Sequence, residues 1–272
     1  MKLPEPGQLH EPEHHLLFQH DRQEMHCREP ENFTARFFKN RFEQVISAIL
    51  KLQEEMNKSP QQIRILDVGC AQGNFSMTLA ERGFRVTAFD LRYHFLSYGR
   101  LKYEEGHVLW VNGSLDHLPF QNGIFDVVLV TEIIEHVAHP EKLLAQLKKT
   151  ARPSAFILVT TPNGSRLFTG MPTLRQISDR AGLESKQFVP DADGHLFLMT
   201  KQELREEGRK AGLRMTSHNY LGTPWVTGGM KLWGACRFLP EALRRSLDRM
   251  FLKIPFLAKA FGEGQLALFK NE

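Results

Sequence analysis

The sequence predicts an α/β fold. It reads as a seven-stranded, mostly parallel sheet with helices on both faces, an N-terminal helical cap and a helical insertion before the last strand. Three observations carry this. Short apolar runs rich in β-branched residues alternate with segments of helical period from Arg64 onward. The first run, 63–68, ends in a turn holding Gly69 and Gly73, and a helical pattern follows at once. The chain has 272 residues, 42% hydrophobic and 24% charged, enough to bury one full core without disulfide or metal staples.

Taken in order, residues 1–30 are polar, with His10, His14, His15, His20 and His26 interrupted by Pro4, Pro6, Pro12 and Pro30. This reads as a solvated arm or a cap over a substrate, and the histidine spacing fits no compact zinc pattern. A helix is predicted from about Asn32 to Asn57, where Phe37, Phe38, Phe42, Val45, Ile46, Ile49 and Leu50 recur at helical spacing. Residues 1–60 are therefore an arm plus a cap helix, and 61–272 a second unit built on the sheet. Its strands are predicted at 63–68, 85–89, 107–111, 125–130, 154–160, 213–219 and 265–270. Its helices are predicted at 73–83, 93–104, 140–150 and 200–212. Pro140 suits a first helical position, and Pro153 marks the turn into the fifth strand. Two insertions, 161–199 and 220–263, interrupt the alternation.

Composition narrows the function classes. A net charge of +4 gives no general nucleic-acid footprint. Cys27, Cys70 and Cys236 are too few and too scattered for a disulfide framework, which points to a reducing, cytoplasmic compartment. The N-terminus has no apolar signal-peptide region, and no apolar run reaches membrane-spanning length.

A glycine-rich turn alone would serve a dinucleotide or another nucleoside. Three motifs in order sharpen the reading: Ile63-Arg-Ile-Leu-Asp-Val-Gly-Cys-Ala-Gln-Gly73, Arg85-Val-Thr-Ala-Phe-Asp90, and Leu118-Pro-Phe-Gln-Asn-Gly-Ile-Phe-Asp126 leading into Val127–Val130. Together they resemble the class I S-adenosylmethionine (SAM) methyltransferases over roughly residues 60–220. The resemblance implies a Rossmann-like fold and SAM as cofactor. It implies that Asp67 helps hold the SAM ammonium, that Gly69, Cys70, Ala71 and Gly73 approach the ligand through backbone, and that Asp90 binds the ribose hydroxyls. Leu91 would flank the adenine, with Ser114, Leu115 and Thr131 completing the contact set. Two positions depart from the usual pattern. Ala71 replaces the middle glycine, and Ser114 stands where an acid often meets the adenine amino group. A nicotinamide cofactor is the alternative, but the full Gly-x-Gly-x-x-Gly pattern is absent.

The fourth strand runs into Thr131-Glu-Ile-Ile-Glu-His-Val137. Ligands in open α/β sheets bind beyond the carboxyl ends of the strands, so Glu132, Glu135 and His136 are expected beside the transferred methyl group. If this segment is helical, all three share one face. His195, from the first insertion, could close a Glu-x-x-Glu-His face around a divalent metal, magnesium or zinc. The constellation resembles the ubiquinone-pathway O-methyltransferases and the small-RNA 3′-end 2′-O-methyltransferases. Without metal, His136 or His195 could act as general base, with Glu132 beside them.

These readings lead to a SAM-dependent methyltransferase acting on the hydroxyl of a small-molecule, lipid-linked or glycan acceptor. An RNA 2′-O-methyltransferase with a divalent metal and a non-catalytic SAM-binding partner subunit are the alternatives. Residues 231–262 interleave Lys231, Arg237, Arg244, Arg245, Arg249, Lys253 and Lys259 with Trp233, Phe238, Leu243, Leu247, Met250, Phe251, Phe256, Leu257 and Phe261. They read as a helical cap over the sheet, or as an interfacial surface giving peripheral membrane contact.

Overall fold

The computed structural model describes residues 1–27, 32–187, 194–228, 236 and 238–272. Seven strands form one sheet in the order β3-β2-β1-β4-β5-β7-β6. They are β1 (Arg64–Val68), β2 (Arg85–Asp90), β3 (His107–Asn112), β4 (Phe125–Thr131), β5 (Ala151–Pro162), β6 (Leu213–Leu221) and β7 (Gly264–Asn271). All neighbours are parallel except β7, which runs antiparallel to both β5 and β6. The order reverses beside β1, so the carboxyl ends of β1 and β4 open a crevice at the switch point.

The helices are α1 (Pro12–Glu24), α2 (Phe33–Met56), α3 (Asn74–Glu81), α4 (Tyr93–Lys102), α5 (Pro140–Thr150), α6 (Ala181–Glu184), α7 (Lys201–Lys210), α8 (Pro224–Thr227), α9 (Glu241–Leu252) and α10 (Pro255–Phe261). Both faces of the sheet are covered, as a parallel sheet requires. Every residue of β4 is buried. Val128 and Val130 pack into one core with Leu143, Leu144 and Leu147 of α5 and Leu204 of α7. Val127 and Leu129 turn to the other, against Val45, Ile46 and Ile49 of α2 and Phe75 and Leu79 of α3.

All seven predicted strands form. The fifth is longer than its pattern indicates, because Ser154 adopts φ 64° and the register with β4 shifts between Phe125 and Val127, so pairing resumes upstream at Ala151. The cap helix is bounded as its sequence implies. Asn32 accepts from the Ala35 amide at 2.8 Å, and Asn57 closes the helix in the left-handed region at φ 50°.

Two expectations are corrected. The N-terminal arm is not solvated: α1 starts with Pro12 at its first turn and buries His14, Leu17 and Asp21. Pro12 starts a helix there instead of breaking one, since its missing N–H costs nothing at that position. The segment after β4 is not an α-helix either. Glu132 takes φ 53°, and only Ile134–His136 form a single 3₁₀ turn. Of the segment 231–262, residues 231–235 and 237, with Lys231, Trp233 and Arg237, lie outside the described residues, as do Asp191 and Asp193 beside His195.

Candidate functional site

The β1–α3 turn is shaped by contacts that leave no room for side chains. Gly69 and Gly73 take φ 64° and 75°. A Cβ on Gly69 would strike the Ile133 side chain, and one on Gly73 would lie 2.5 Å from the Trp110 ring. Ala71 sits in the same left-handed region at φ 48°, which explains why glycine is the usual occupant and why alanine carries some strain there. The amides of Gly69 and Cys70 both donate to the Phe89 carbonyl, fixing the turn to β2.

Asp90 ends β2 and is buried. Its Oδ2 accepts from the Ala71 amide and its Oδ1 from the Arg92 amide, both at 2.8 Å. One carboxylate thus joins the glycine turn to the next loop. Asn112 donates to the Asp90 and Leu91 carbonyls at 2.9 and 2.8 Å, which leaves Leu91 projecting into solvent at the mouth of the crevice.

Asp67 is fully buried. Ser76 donates to its Oδ2 at 2.6 Å, while its Oδ1 has no hydrogen-bond partner. Burial, reinforced by the charge of Asp90 and opposed by Ser76, pushes its pKa up to about 7. A buried acceptor left without a donor fits a cationic ligand group, and the SAM ammonium would supply one. Cys70 is buried, and its thiol is raised well above the usual range by burial and the nearby carboxylates, so its sulfur is not a reactive one.

Beyond β3, the Ser114 hydroxyl donates to Asp116 at 3.0 Å and accepts from the Asp116 amide. An acid, Asp116, thus stands two residues on from Ser114 and is tied to its hydroxyl. Leu115 packs against the core next to it, and Thr131 closes β4 in register with Thr160.

A cluster of buried polar groups roofs this turn. Lys102 is 0% exposed and donates to Asp21 at 2.7 Å and to Asn74 at 2.6 Å. Asn74 returns a bond to Asp21 at 2.9 Å. The arm read as a loose cap is thus pinned by Asp21 onto the first residue of α3.

At the carboxyl ends of β4 and β5 lies a second set. Glu135, His136 and His195 bring one ligand atom each within 4.8 Å of one another. Glu135 is fully buried. Its Oε2 accepts from Thr161 at 2.9 Å. Its Oε1 has no hydrogen-bond partner and lies 4.0 Å from His136 Nε2 and 3.9 Å from His195 Nε2. Burial first, then the charge of Glu132, holds its pKa well above the carboxylate range. Both imidazoles are lowered, His136 by burial and by His195, His195 by burial against the pull of Glu132. His136 Nδ1 lies 3.1 Å from the Gly194 carbonyl, which can only accept, so that nitrogen carries the proton and Nε2 presents its lone pair to the cluster.

Glu132 stands beside this set and not in it. Its Oε1 accepts from Thr160 at 2.9 Å, and its Oε2 pairs with Arg41 of α2 at 3.1 Å. Of the four residues expected to converge, three do. No sequence pattern marks Arg41; its role follows from α2 crossing the end of β4.

Comparisons with known proteins show the family. A family model described as a methyltransferase domain matches residues 37–218. A ubiquinone biosynthesis O-methyltransferase of Rickettsia akari (strain Hartford) is 29% identical over 120 residues, which is 43% of this chain and 47% of the relative. A malonyl-[acyl-carrier protein] O-methyltransferase of Serratia marcescens is 31% identical over 106 residues, 39% of this chain and 41% of the relative. The chain thus spans about half the length, or less, of these curated relatives. Among solved structures, the magnesium protoporphyrin IX methyltransferase of Synechocystis PCC 6803, with bound SAH, superposes with TM-score 0.59 at 13% identity and covers 94% of each chain. A SAM-dependent methyltransferase from Mesorhizobium loti gives 0.54 at 15% identity over 81% of this chain and 96% of that one. At such identities the structural likeness is one of fold.

Proposed function

This chain belongs to the class I SAM-dependent methyltransferases, and we propose that it methylates an oxygen: the hydroxyl of a small-molecule, lipid-linked or glycan acceptor. The observation that carries the proposal is the grouping of His136 and His195 with buried Glu135 at the carboxyl ends of β4 and β5, beside β1, whose end carries the glycine turn; burial lowers the pKa of both imidazoles. Two curated relatives are named as O-methyltransferases, which supports the same choice.

Bound SAM supplies an activated methyl group on a sulfonium. The chain's part is to align the acceptor with that methyl and to take up its proton. Asp67, Gly69, Cys70, Ala71, Gly73, Asp90, Leu91, Ser114, Leu115 and Thr131 form the cofactor side of the proposal, and Asp116 joins them. On the acceptor side, the free lone pair of His136 Nε2 suits it as general base. His195 is the second candidate, and Glu132, tied to Arg41, favours the charged imidazole as the proton arrives.

A second reading rests on the unpartnered Oε1 of Glu135. Glu135, His136 and His195 would hold a divalent cation, magnesium or zinc, which lowers the pKa of a bound hydroxyl. The alternative acceptor in that reading is an RNA 2′-hydroxyl.

The test begins with calorimetric SAM binding, followed by turnover of SAM against a panel of hydroxyl acceptors with and without chelator. Base catalysis predicts that H136A or H195A alone removes most of the rate and that chelator has no effect. The cation reading predicts loss with either histidine, with E135Q and with chelator, while SAM still binds. If SAM binds and no acceptor hydroxyl is methylated, the chain is a SAM-binding partner subunit and the O-methyltransferase proposal fails. The reducing compartment inferred from the free cysteines Cys27, Cys70 and Cys236 makes the cytoplasm its proposed location.

A further inference from the structure

The helix α9 is inside out. Its buried residues are charged: Arg244 and Asp248. Asp248 accepts from both the amide and the hydroxyl of Thr223, at 2.8 and 2.7 Å, so the helix is fastened to the body through polar contacts. Phe251 turns in against Trp225, with ring centroids 4.3 Å apart, but a second set of apolar residues faces outward. Leu243, Leu247, Met250 and Ile254 follow one another by four, three and four, which places them on one stripe of the helix surface. Leu243, Met250 and Ile254 are exposed. The hydrophobic effect would drive such a stripe inward if folding alone shaped it.

The neighbouring surface repeats the pattern. Phe256 on α10 is 71% exposed and Phe168, at the start of the first insertion, is 84% exposed. Phe168 holds φ 60°, a conformation unfavourable for a bulky residue. The two segments adjoin: the Leu167 amide donates to the Ala260 carbonyl at 2.9 Å, and Leu167, Phe168, Ala260 and Phe261 line one cavity of about 380 Å³.

The exposed charges carried by the stretch from Ala242 to Ala260 are of one sign. Between Ala242 and Ala260 the only acid is Asp248, and it is buried. Arg249, Lys253 and Lys259 are all exposed. Arg249 and Lys253, four apart, run along the strip beside the apolar stripe, where their long stems can lie on apolar surface with the charges at its rim.

We propose that the outward face of α9 and α10, with Leu167 and Phe168, is a docking surface for an anionic lipid bilayer. Apolar and aromatic tips enter the boundary of the acyl chains while arginine and lysine meet the headgroups. A second copy of the chain is the less suitable occupant. A two-fold contact through this face would bring the Arg249, Lys253 and Lys259 surface of one copy onto the same basic surface of the other. No helix among the described residues is long and apolar enough to cross a membrane, and the proposed contact is a peripheral one. The surface also lies at the reaction end of the sheet. Asn163, one residue past β5, donates to the Lys259 and Gly262 carbonyls at 2.9 Å each, and only Gly262 and Glu263 separate α10 from β7.

The inference is independent of methyl transfer and is tested without an acceptor. The full chain is co-sedimented with phosphatidylcholine vesicles and with vesicles carrying about a third phosphatidylglycerol, at low and raised salt. Binding should appear on the anionic vesicles, fall with salt, and drop by at least about fivefold for each of the charge reversals K253E and K259E. F168S and F256S should weaken binding that remains at raised salt, with circular dichroism and melting temperature unchanged because both sites are exposed. Absence of binding to anionic vesicles at low salt overturns the proposal. So does binding that none of the four variants alters, or a dimer in light scattering that F256S dissolves.

Discussion

The two ends of the crevice are built by different chemistry. On the β1–β2–β3 side, the turn is held by backbone: amides of Gly69 and Cys70 on Phe89, and amides of Ala71 and Arg92 on Asp90. On the β4–β5 side, the groups that meet are side chains: Glu135, His136 and His195, with Glu132 paired to Arg41. The first needs glycines and one acid at short spacing along the chain. The second draws on α2, on the end of β4 and on an insertion 58 residues beyond His136, as the His136–Gly194 contact shows. A site that binds one fixed cofactor can be local and rigid. A site whose partner varies across a family is assembled from segments free to change.

The largest expected effect tests whether the cofactor side owes its rigidity to the roof above it. Replacing Lys102 by Met leaves Asp21 buried without its cation, and loss of one partner of such a pair costs about 3–5 kcal/mol of stability. Denaturant unfolding measures it. The double variant with Asp21→Leu should recover much of the loss. If K102M is as stable as the parent chain, the ionic cluster does not hold α1 on α3.

Next comes the joint itself. Asp90→Ala removes two amide bonds and the proposed ribose contacts, and should weaken SAM binding by about 1–3 kcal/mol in calorimetry. Equal binding by variant and parent would put the ribose elsewhere than the end of β2.

On the acceptor side the expected effect is a pH dependence. The Glu135 pKa is raised in the fold, by burial and then by Glu132. Its proton is kept where the unfolded chain has already released it. Its contribution to stability is therefore full below the unfolded value, about 4.3, and declines as pH rises above that. E135Q cannot ionise, so its melting temperature relative to the parent should climb as pH rises above the ordinary carboxylate range. A divalent cation that binds the cluster would raise the parent's melting temperature most at the higher pH, with no effect on E135Q. A difference that stays flat with pH would mean that Glu135 is ionised in the fold.

The contrast between the two sides also decides what could be read from sequence. All seven strands were legible, the central parallel ones because burial on both faces imposes unbroken apolar runs such as Val127–Val130. The cap helix was legible from its aromatic and aliphatic period and from Asn32 and Asn57 at its ends. Helix α1 was not, since its apolar period is weak and its fixing contacts, Asp21 to Lys102 and His14 to Ser97, reach about 80 residues along the chain. The inversion of α9 was hidden for a similar reason. Periodicity reports that a helix has an apolar stripe, and only the fold reports which way the stripe points. The grouping of Glu135 and His136 was suggested by adjacency, but the departure of Glu132 was not. Its φ of 53° turns the backbone at the one position where a helical spacing had been assumed.

The smallest expected effect separates Ser114 from Asp116 at the adenine end. The sequence placed Ser114 where an acid is usual; the structure puts the Asp116 carboxylate 3.0 Å from the Ser114 hydroxyl. An amino group of the adenine donates, and it gains about 1.5–3 kcal/mol from a charged acceptor against about 0.5–1.5 kcal/mol from a neutral one. If Asp116 is the acceptor and Ser114 only orients it, Asp116→Asn should weaken SAM binding more than Ser114→Ala. Ser114→Ala should then lose less than about 1 kcal/mol, because the Asp116 carboxylate survives and only its hydroxyl partner is gone. Titration of adenosine, which carries the adenine and ribose without the methionine end, confines the readout to this contact. A larger loss for Ser114→Ala than for Asp116→Asn, with adenosine and with SAM alike, would make the hydroxyl the acceptor. The chain would then read its cofactor's adenine with a neutral group, and the cofactor side would depend still more on the backbone turn around Asp90.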